Sequence, residues 1–257
     1  MSTQGSVTTD ITNRIATITF QHPKGNALTR KTLEELEQAI TSVGNDRDIR
    51  VVVIHSEGDG AFCGGAYFEE LMKISTYEEG KRFFMGFARV INAMRKCPKL
   101  IIARVQGKAV GGGVGIAAAA DHALAHPSAA VKLSELALGI GPFVVEPAIC
   151  RKIGKSGFST LAIDATHWYK AEWARKKGLY ADILDSTDQL DHAVFELAEK
   201  LAKSNPEAIR EFKKIFWSGT EHWDTLLEER AEISGRLVLS EYTRNYIDNA
   251  KNGNTGE

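Results

Sequence analysis

The sequence predicts an α/β protein. Three observations carry that reading: short apolar runs bounded by loop residues, helical stripes of apolar residues between them, and glycine-rich bends where two of the runs end. Strands that alternate with helices in this way build a covered, largely parallel sheet joined by right-handed crossovers.

The elements follow in order. Residues 14–20, RIATITF, alternate apolar and polar positions and predict a strand. HPKGN at 22–26 is a turn. Thr29 can cap a helix reaching about residue 43, with Leu33, Leu36, Ala39 and Ile40 on one face. VVVI at 51–54 is a fully apolar strand, as a parallel sheet covered on both faces requires. A helix rich in aromatics is expected over 78–95 and a strand over 99–105. The alanines at 117–120 suit a tightly packed helix, and 122–125 and 130–133 are short strand candidates. After about residue 190 the pattern is helical only, over 190–203, 206–217 and 223–249. The expected organisation is therefore a core over 1–190 and a separate helical layer over 191–257. The polar tail, 251–257, is expected to fray.

Composition excludes several function classes. Of 257 residues, 43% are apolar and 25% charged, an ordinary balance for a soluble globular protein. A net charge of −1 gives no electrostatic case for nucleic acid or an anionic membrane as partner. No run is long and apolar enough for a membrane span, and MSTQGSVTTD has no hydrophobic signal region. Three widely spaced cysteines (Cys63, Cys97, Cys150) fit neither a disulfide framework nor a zinc site and suit a reducing cytoplasm. None of the seven histidines stands in a metal-ligand spacing.

The chemistry gathers at two bends. One is CGGA at 63–66; the other is GGG at 111–113, within GKAVGGGVGIAAAAD. Glycines let another body approach the main chain, and amides at a helix N-terminus are unpaired and partly positive. Two such bends face to face can aim two N–H groups at one oxygen, the geometry of an oxyanion hole. Tight helix-on-strand packing is the simpler explanation of either bend alone. A phosphate cradle lacks its GxxxxGK[ST] or GxGxxG pattern. A partner that moves protons stands nearby: Glu135, in KLSELALGIGP, is flanked by Leu133, Leu136 and Leu138. An apolar setting raises a carboxyl pKa toward neutrality, where it can act as base and acid. The plain alternative is a surface Glu at a turn.

HPKGNAL (22–28), VVVIHSEGDGAFCGGA (51–66), PKLIIARVQGKAVGGGVGIAAAAD (98–121), LSELALGIGP (133–142) and KAEWARKKGLYADIL (170–184), in this order, resemble the crotonase, or enoyl-CoA hydratase/isomerase, family. The resemblance is strong over about 10–190 and weak beyond. It implies a ββα spiral core that binds acyl-CoA, a helical C-terminal region used in oligomerisation, and trimers or dimers of trimers. It implies that the Ala66 and Gly112 amides hold the thioester oxygen, so that a side chain at Gly112 would obstruct it. Gly64, Gly65, Gly111 and Tyr67 would join the substrate site, with Asn26 and Ala27 on the nucleotide side. CoA would arrive as part of the substrate, with no separate cofactor and no metal.

Departures matter too. Common hydratases carry two glutamates; the position of the first is Gly115 here, which cannot do acid–base work. Glu146 is the candidate second carboxylate, although it can equally favour a helix N-terminus. Lys81, Arg82 and Arg89 are candidates to bind a substrate carboxylate, with a solvated helix face as the simpler reading. The pattern is closest to the methylglutaconyl-CoA hydratase type. The leading expectation is a hydratase of branched or carboxylated enoyl-CoA. A Δ3,Δ2-enoyl-CoA isomerase using Glu135 alone and a non-catalytic acyl-CoA-binding protein are the alternatives.

Overall fold

The computed structural model of the chain describes residues 5–251; beyond Lys251 the tail expected to fray lies outside them. In chain order the elements are β1 (Ser6–Thr12), β2 (Ile15–Gln21), α1 (Arg30–Asn45), β3 (Val51–Ser56), α2 (Phe68–Lys73), α3 (Tyr77–Lys96), β4 (Leu100–Val105), β5 (Ala109–Val110) and α4 (Gly112–Ala119). There follow β6 (His122–Ala125), β7 (Val131–Lys132), α5 (Glu146–Ile163), α6 (Ala171–Lys177), β8 (Asp182–Ile183), α7 (Thr187–Ala202), α8 (Pro206–Phe216), α9 (Trp223–Leu237) and α10 (Glu241–Lys251).

The main sheet runs β1-β2-β3-β4-β6-β8, and β5 pairs with β7 in a second, two-stranded sheet. Only the β1–β2 pair is antiparallel. Its two-residue turn holds Asn13 and Arg14 at φ 52° and 68°, the left-handed angles that match hairpin twist. The expected Thr29 cap forms, its Oγ1 accepting from the Thr32 amide at 3.0 Å, and a capping box of Thr76 and Glu79 heads α3.

Strands β2, β3, β4 and β6 split their side chains between two cores. Ala16, Ile18, Val52, Ile54, Ile101 and Ala103 face the large core under α1, α3 and α4. Ile15, Val51, Val53, Ile102 and Leu124 face the other way, onto Leu190, Val194 and Ala198 of α7. This explains the near-continuous apolar strands. It also corrects the expected layering. Helix α7 spans the 190/191 boundary and covers the sheet, while α9 lies along α3. There Gly80 and Gly235 meet so closely that a methyl on Gly80 would stand 2.7 Å from the Gly235 carbonyl oxygen. The single helix expected over 223–249 is two, because Ser240 turns the chain, its Oγ accepting from the Thr243 amide at 3.3 Å.

Helix α8 is tied to the sheet by one buried carboxylate. Asp121 accepts from the Ile101 amide at 2.8 Å, the Lys213 ammonium at 2.6 Å and the Trp217 indole N–H at 2.9 Å. The three donors sit at the short distances usual for hydrogen bonds to a carboxylate.

Candidate active site

Main-chain bonds bring three separated segments together. The Val110 amide donates to the Cys63 carbonyl at 2.9 Å, the Leu28 amide to Gly65 at 2.7 Å, and the Gly111 amide to Lys132 at 2.9 Å. The two bends and the segment after β7 thereby form one wall. A methyl at Gly65 would lie 3.9 Å from the Gly112 nitrogen. Among the described residues, neither the Ala66 nor the Gly112 N–H has an acceptor. Gly112 opens α4, so its amide is one of the orphan donors that every helix start leaves.

Protein side chains close on the glycines. Gly111 holds φ 52°, and a methyl there would stand 2.6 Å from Glu135 Oε1. At Gly112 it would land 2.1 Å from the Phe87 ring, at Gly113 2.6 Å from the Cys63 Cβ, and at Gly115 2.5 Å from Val145 Cγ1. The ring of Phe87 on α3 is therefore a steric reason for Gly112 that the sequence did not indicate. The free amide at Gly112 stands beside that requirement.

These segments line a cavity of about 370 Å³. Gly64, Gly65, Ala66, Gly111, Gly112 and Glu135 all reach it. Burial pushes the Glu135 carboxyl up to about 7, offset in part by its own main-chain N–H. Its Oε2 is sealed from solvent without a hydrogen-bond partner. Leu138 contributes to the apolar surround, whereas Leu136 is 51% exposed and does not. A carboxyl that titrates near neutrality with one oxygen free of partners, beside two free amides, can take up and return a proton while an adjacent oxygen gains charge.

The profile of the Enoyl-CoA hydratase/isomerase family matches residues 10–244. The chain belongs to that family. It is 29% identical over 231 residues to a short-chain-enoyl-CoA hydratase of Clostridium acetobutylicum, covering 89% of this chain and 87% of that protein. It is 32% identical over 200 residues to the mitochondrial methylglutaconyl-CoA hydratase of Mus musculus, covering 76% of this chain and 63% of that one. The enoyl-CoA hydratase of Bacillus halodurans superposes with a TM-score of 0.88 at 22% identity, covering 94% of this chain and 98% of that chain. The expected crotonase-like spiral with its helical C-terminal region is thus the fold.

Within this member of the hydratase/isomerase family, several expected site residues sit elsewhere. Glu146 does not line the cavity. As the first residue of α5 it turns to Arg230, 3.7 Å away, and to the Cys150 thiol. The residue before it, Val145, takes the cavity side and fills the space over Gly115. Asn26 is spent on its own turn: it donates to the Glu57 and Ala61 carbonyls at 3.0 and 2.9 Å and accepts from the His22 amide at 3.1 Å. Neither Asn26 nor Ala27 lines the cavity, and the Tyr67 ring packs on His22 with centroids 4.5 Å apart. Arg82 and Arg89 are exposed, and Lys81 is held by Glu228 and Glu232 at 2.8 and 2.7 Å.

Other wall residues carried no sequence signal for the site. Phe68 and Leu71 come from the unpredicted α2, Ser234 from α9 and Tyr246 from α10. Their spacing is that of ordinary helix faces, and only the tertiary fold brings them to Glu135. Of the aromatic run in α3, Phe84 and Phe87 reach the cavity.

Proposed function

We propose that this chain is an enoyl-CoA hydratase, a lyase that adds water across the α,β double bond of an acyl-CoA thioester. The observation that carries this reading is the Glu135 carboxyl, its Oε2 without a partner, set beside the free Ala66 and Gly112 amides on one cavity wall. The named hydratases among the relatives support it. In this mechanism the thioester oxygen accepts from both amides. Glu135 takes a proton from water as the oxygen bonds to Cβ and the double bond becomes an enolate. The same carboxyl then returns the proton to Cα and ends as it began. CoA comes with the substrate, and the reaction needs no further cofactor or metal. Gly64, Gly65 and Gly111 shape the binding wall, and Asn26 and Ala27 brace the turn behind it.

The test is a substrate panel, following loss of the conjugated thioester absorbance with crotonyl-, 3-methylcrotonyl- and 3-methylglutaconyl-CoA. Glu135→Gln should slow hydration by about 10²–10⁴-fold. An unimpaired variant overturns the assignment, and a parent chain inert toward the whole panel overturns hydration itself.

One observation favours a second reading, a Δ3,Δ2-enoyl-CoA isomerase. Val145 stands over Gly115 and Glu146 faces Arg230, so a lone carboxyl serves the cavity. One carboxyl suffices to carry a proton between two carbons. Gain of conjugated absorbance from 3-enoyl-CoA substrates, without hydration, selects this reading.

The assembly we propose is a homotrimer or a dimer of trimers. The exposed apolar face of α8, with Phe212, Ile215 and Phe216 at 53%, 65% and 48% exposure, supports burial against another copy. The free Cys63, Cys97 and Cys150 support a cytoplasmic setting. No described helix is long and apolar enough to cross a membrane.

A further inference from the structure

The walls of the cavity bear on which acyl groups it takes. Phe84 and Phe87 of α3 face Leu138, Val144 and Val145 across it. Its polar side chains are Glu135 and the hydroxyls of Ser134, Ser234 and Tyr246. Among the described residues no Lys, Arg or His lines it. The nearby cations lean elsewhere: Lys81 to Glu228 and Glu232, and Arg230, one turn before Ser234 on α9, toward Glu146 at 3.7 Å, with its Nε left without a partner. Arg82 and Arg89 point to solvent.

A second carboxylate brought into this space would lose its hydration and find no cation to repay it. It would also share a low-dielectric cavity with Glu135, and like charges there repel strongly. Neutral acyl chains meet none of these costs and gain apolar contact with the phenylalanine and valine walls.

We infer that the cavity selects uncharged acyl groups and rejects acyl chains that end in a carboxylate, with the charge of Glu135 and the cation-free wall as the selecting features. This rests on the acyl-CoA reading above. It also runs against taking over the carboxylated substrate named for the methylglutaconyl-CoA hydratase relative.

The experiment measures binding of saturated, unreactive thioesters to the purified chain at pH 8. Glutaryl-CoA is compared with 5-methylhexanoyl-CoA, its uncharged isostere, and butyryl-CoA reports on the acyl-CoA reading. The isostere should bind roughly 30-fold or more tightly than glutaryl-CoA. Glu135→Gln should narrow that ratio by roughly threefold or more while keeping the cavity's shape. Equal affinities for the two isosteres, or a ratio unmoved in Glu135→Gln, overturn the inference. Failure of butyryl-CoA to bind instead sinks the acyl-CoA reading, and this inference falls with it.

Discussion

Two carboxylates are buried near α4, and they are built to opposite ends. Asp121, just past the helix, has three donors within 2.9 Å: an ammonium, an indole and a main-chain amide. Glu135, beside the helix's first turn, leaves Oε2 with no partner and is raised to about 7. Full satisfaction makes a carboxylate a structural tie. Deprivation leaves one balanced between its charged and neutral forms at neutrality and ready to exchange a proton. Burial alone distinguishes neither; the partners do.

Breaking the satisfied carboxylate should have the largest effect on stability. Asp121→Ala strands the Lys213 ammonium, whose side chain is 5% exposed, and should cost about 3–5 kcal/mol in a denaturant titration. At low temperature the remaining folded protein should keep its activity per molecule. Loss of activity without loss of stability would remove the contrast.

The deprived carboxylate should show itself in the pH dependence of stability. Its ordinary value is 4.5 and the fold raises it to about 7. Between those values the folded chain binds the proton more tightly than the unfolded one, so stability falls as pH rises through this window and then levels. The loss should be on the order of 2–3 kcal/mol. Glu135→Gln should abolish that slope and leave a variant more stable than the parent at pH 8, read from melts at pH 5 and pH 8.

Gly112→Ala sharpens the comparison from the glycine side. Its methyl would land 2.1 Å from the Phe87 ring, an overpacking worth about 1–3 kcal/mol, with activity reduced because the amide beside it shifts. Gly60→Ala is the counterpart, since a methyl there meets nothing within 4 Å. It should change stability by no more than about 0.5 kcal/mol.

The contrast between the carboxylates was half legible in sequence. Glu135 stood out because leucines surround it, yet Leu136 points outward, and beyond Leu138 much of the apolar surround, such as Phe84 and Phe87, comes from residues distant in the chain. Asp121 gave no local hint, because Lys213 and Trp217 lie far along. The strands at 51–54 and 99–105 and the caps at Thr29 and Thr76 were readable or locally encoded. Strand β1 was missed because SVTTDIT is a polar edge strand and its turn, Asn13-Arg14, lacks glycine. The Glu146 expectation failed by one residue. At the start of a helix a single step rotates a side chain by about 100°, enough to exchange Glu146 for Val145 on the cavity side.

The crossing of Gly80 and Gly235 also constrains how the cleft can open. Two helices that touch main chain to main chain leave no slack at their junction, so α3 and α9 act as a fixed frame carrying Phe84, Phe87 and Ser234. Any widening to admit a bulkier guest has to come from the other walls: α2 with Phe68 and Leu71, the segment over 138–145, and α10 with Tyr246.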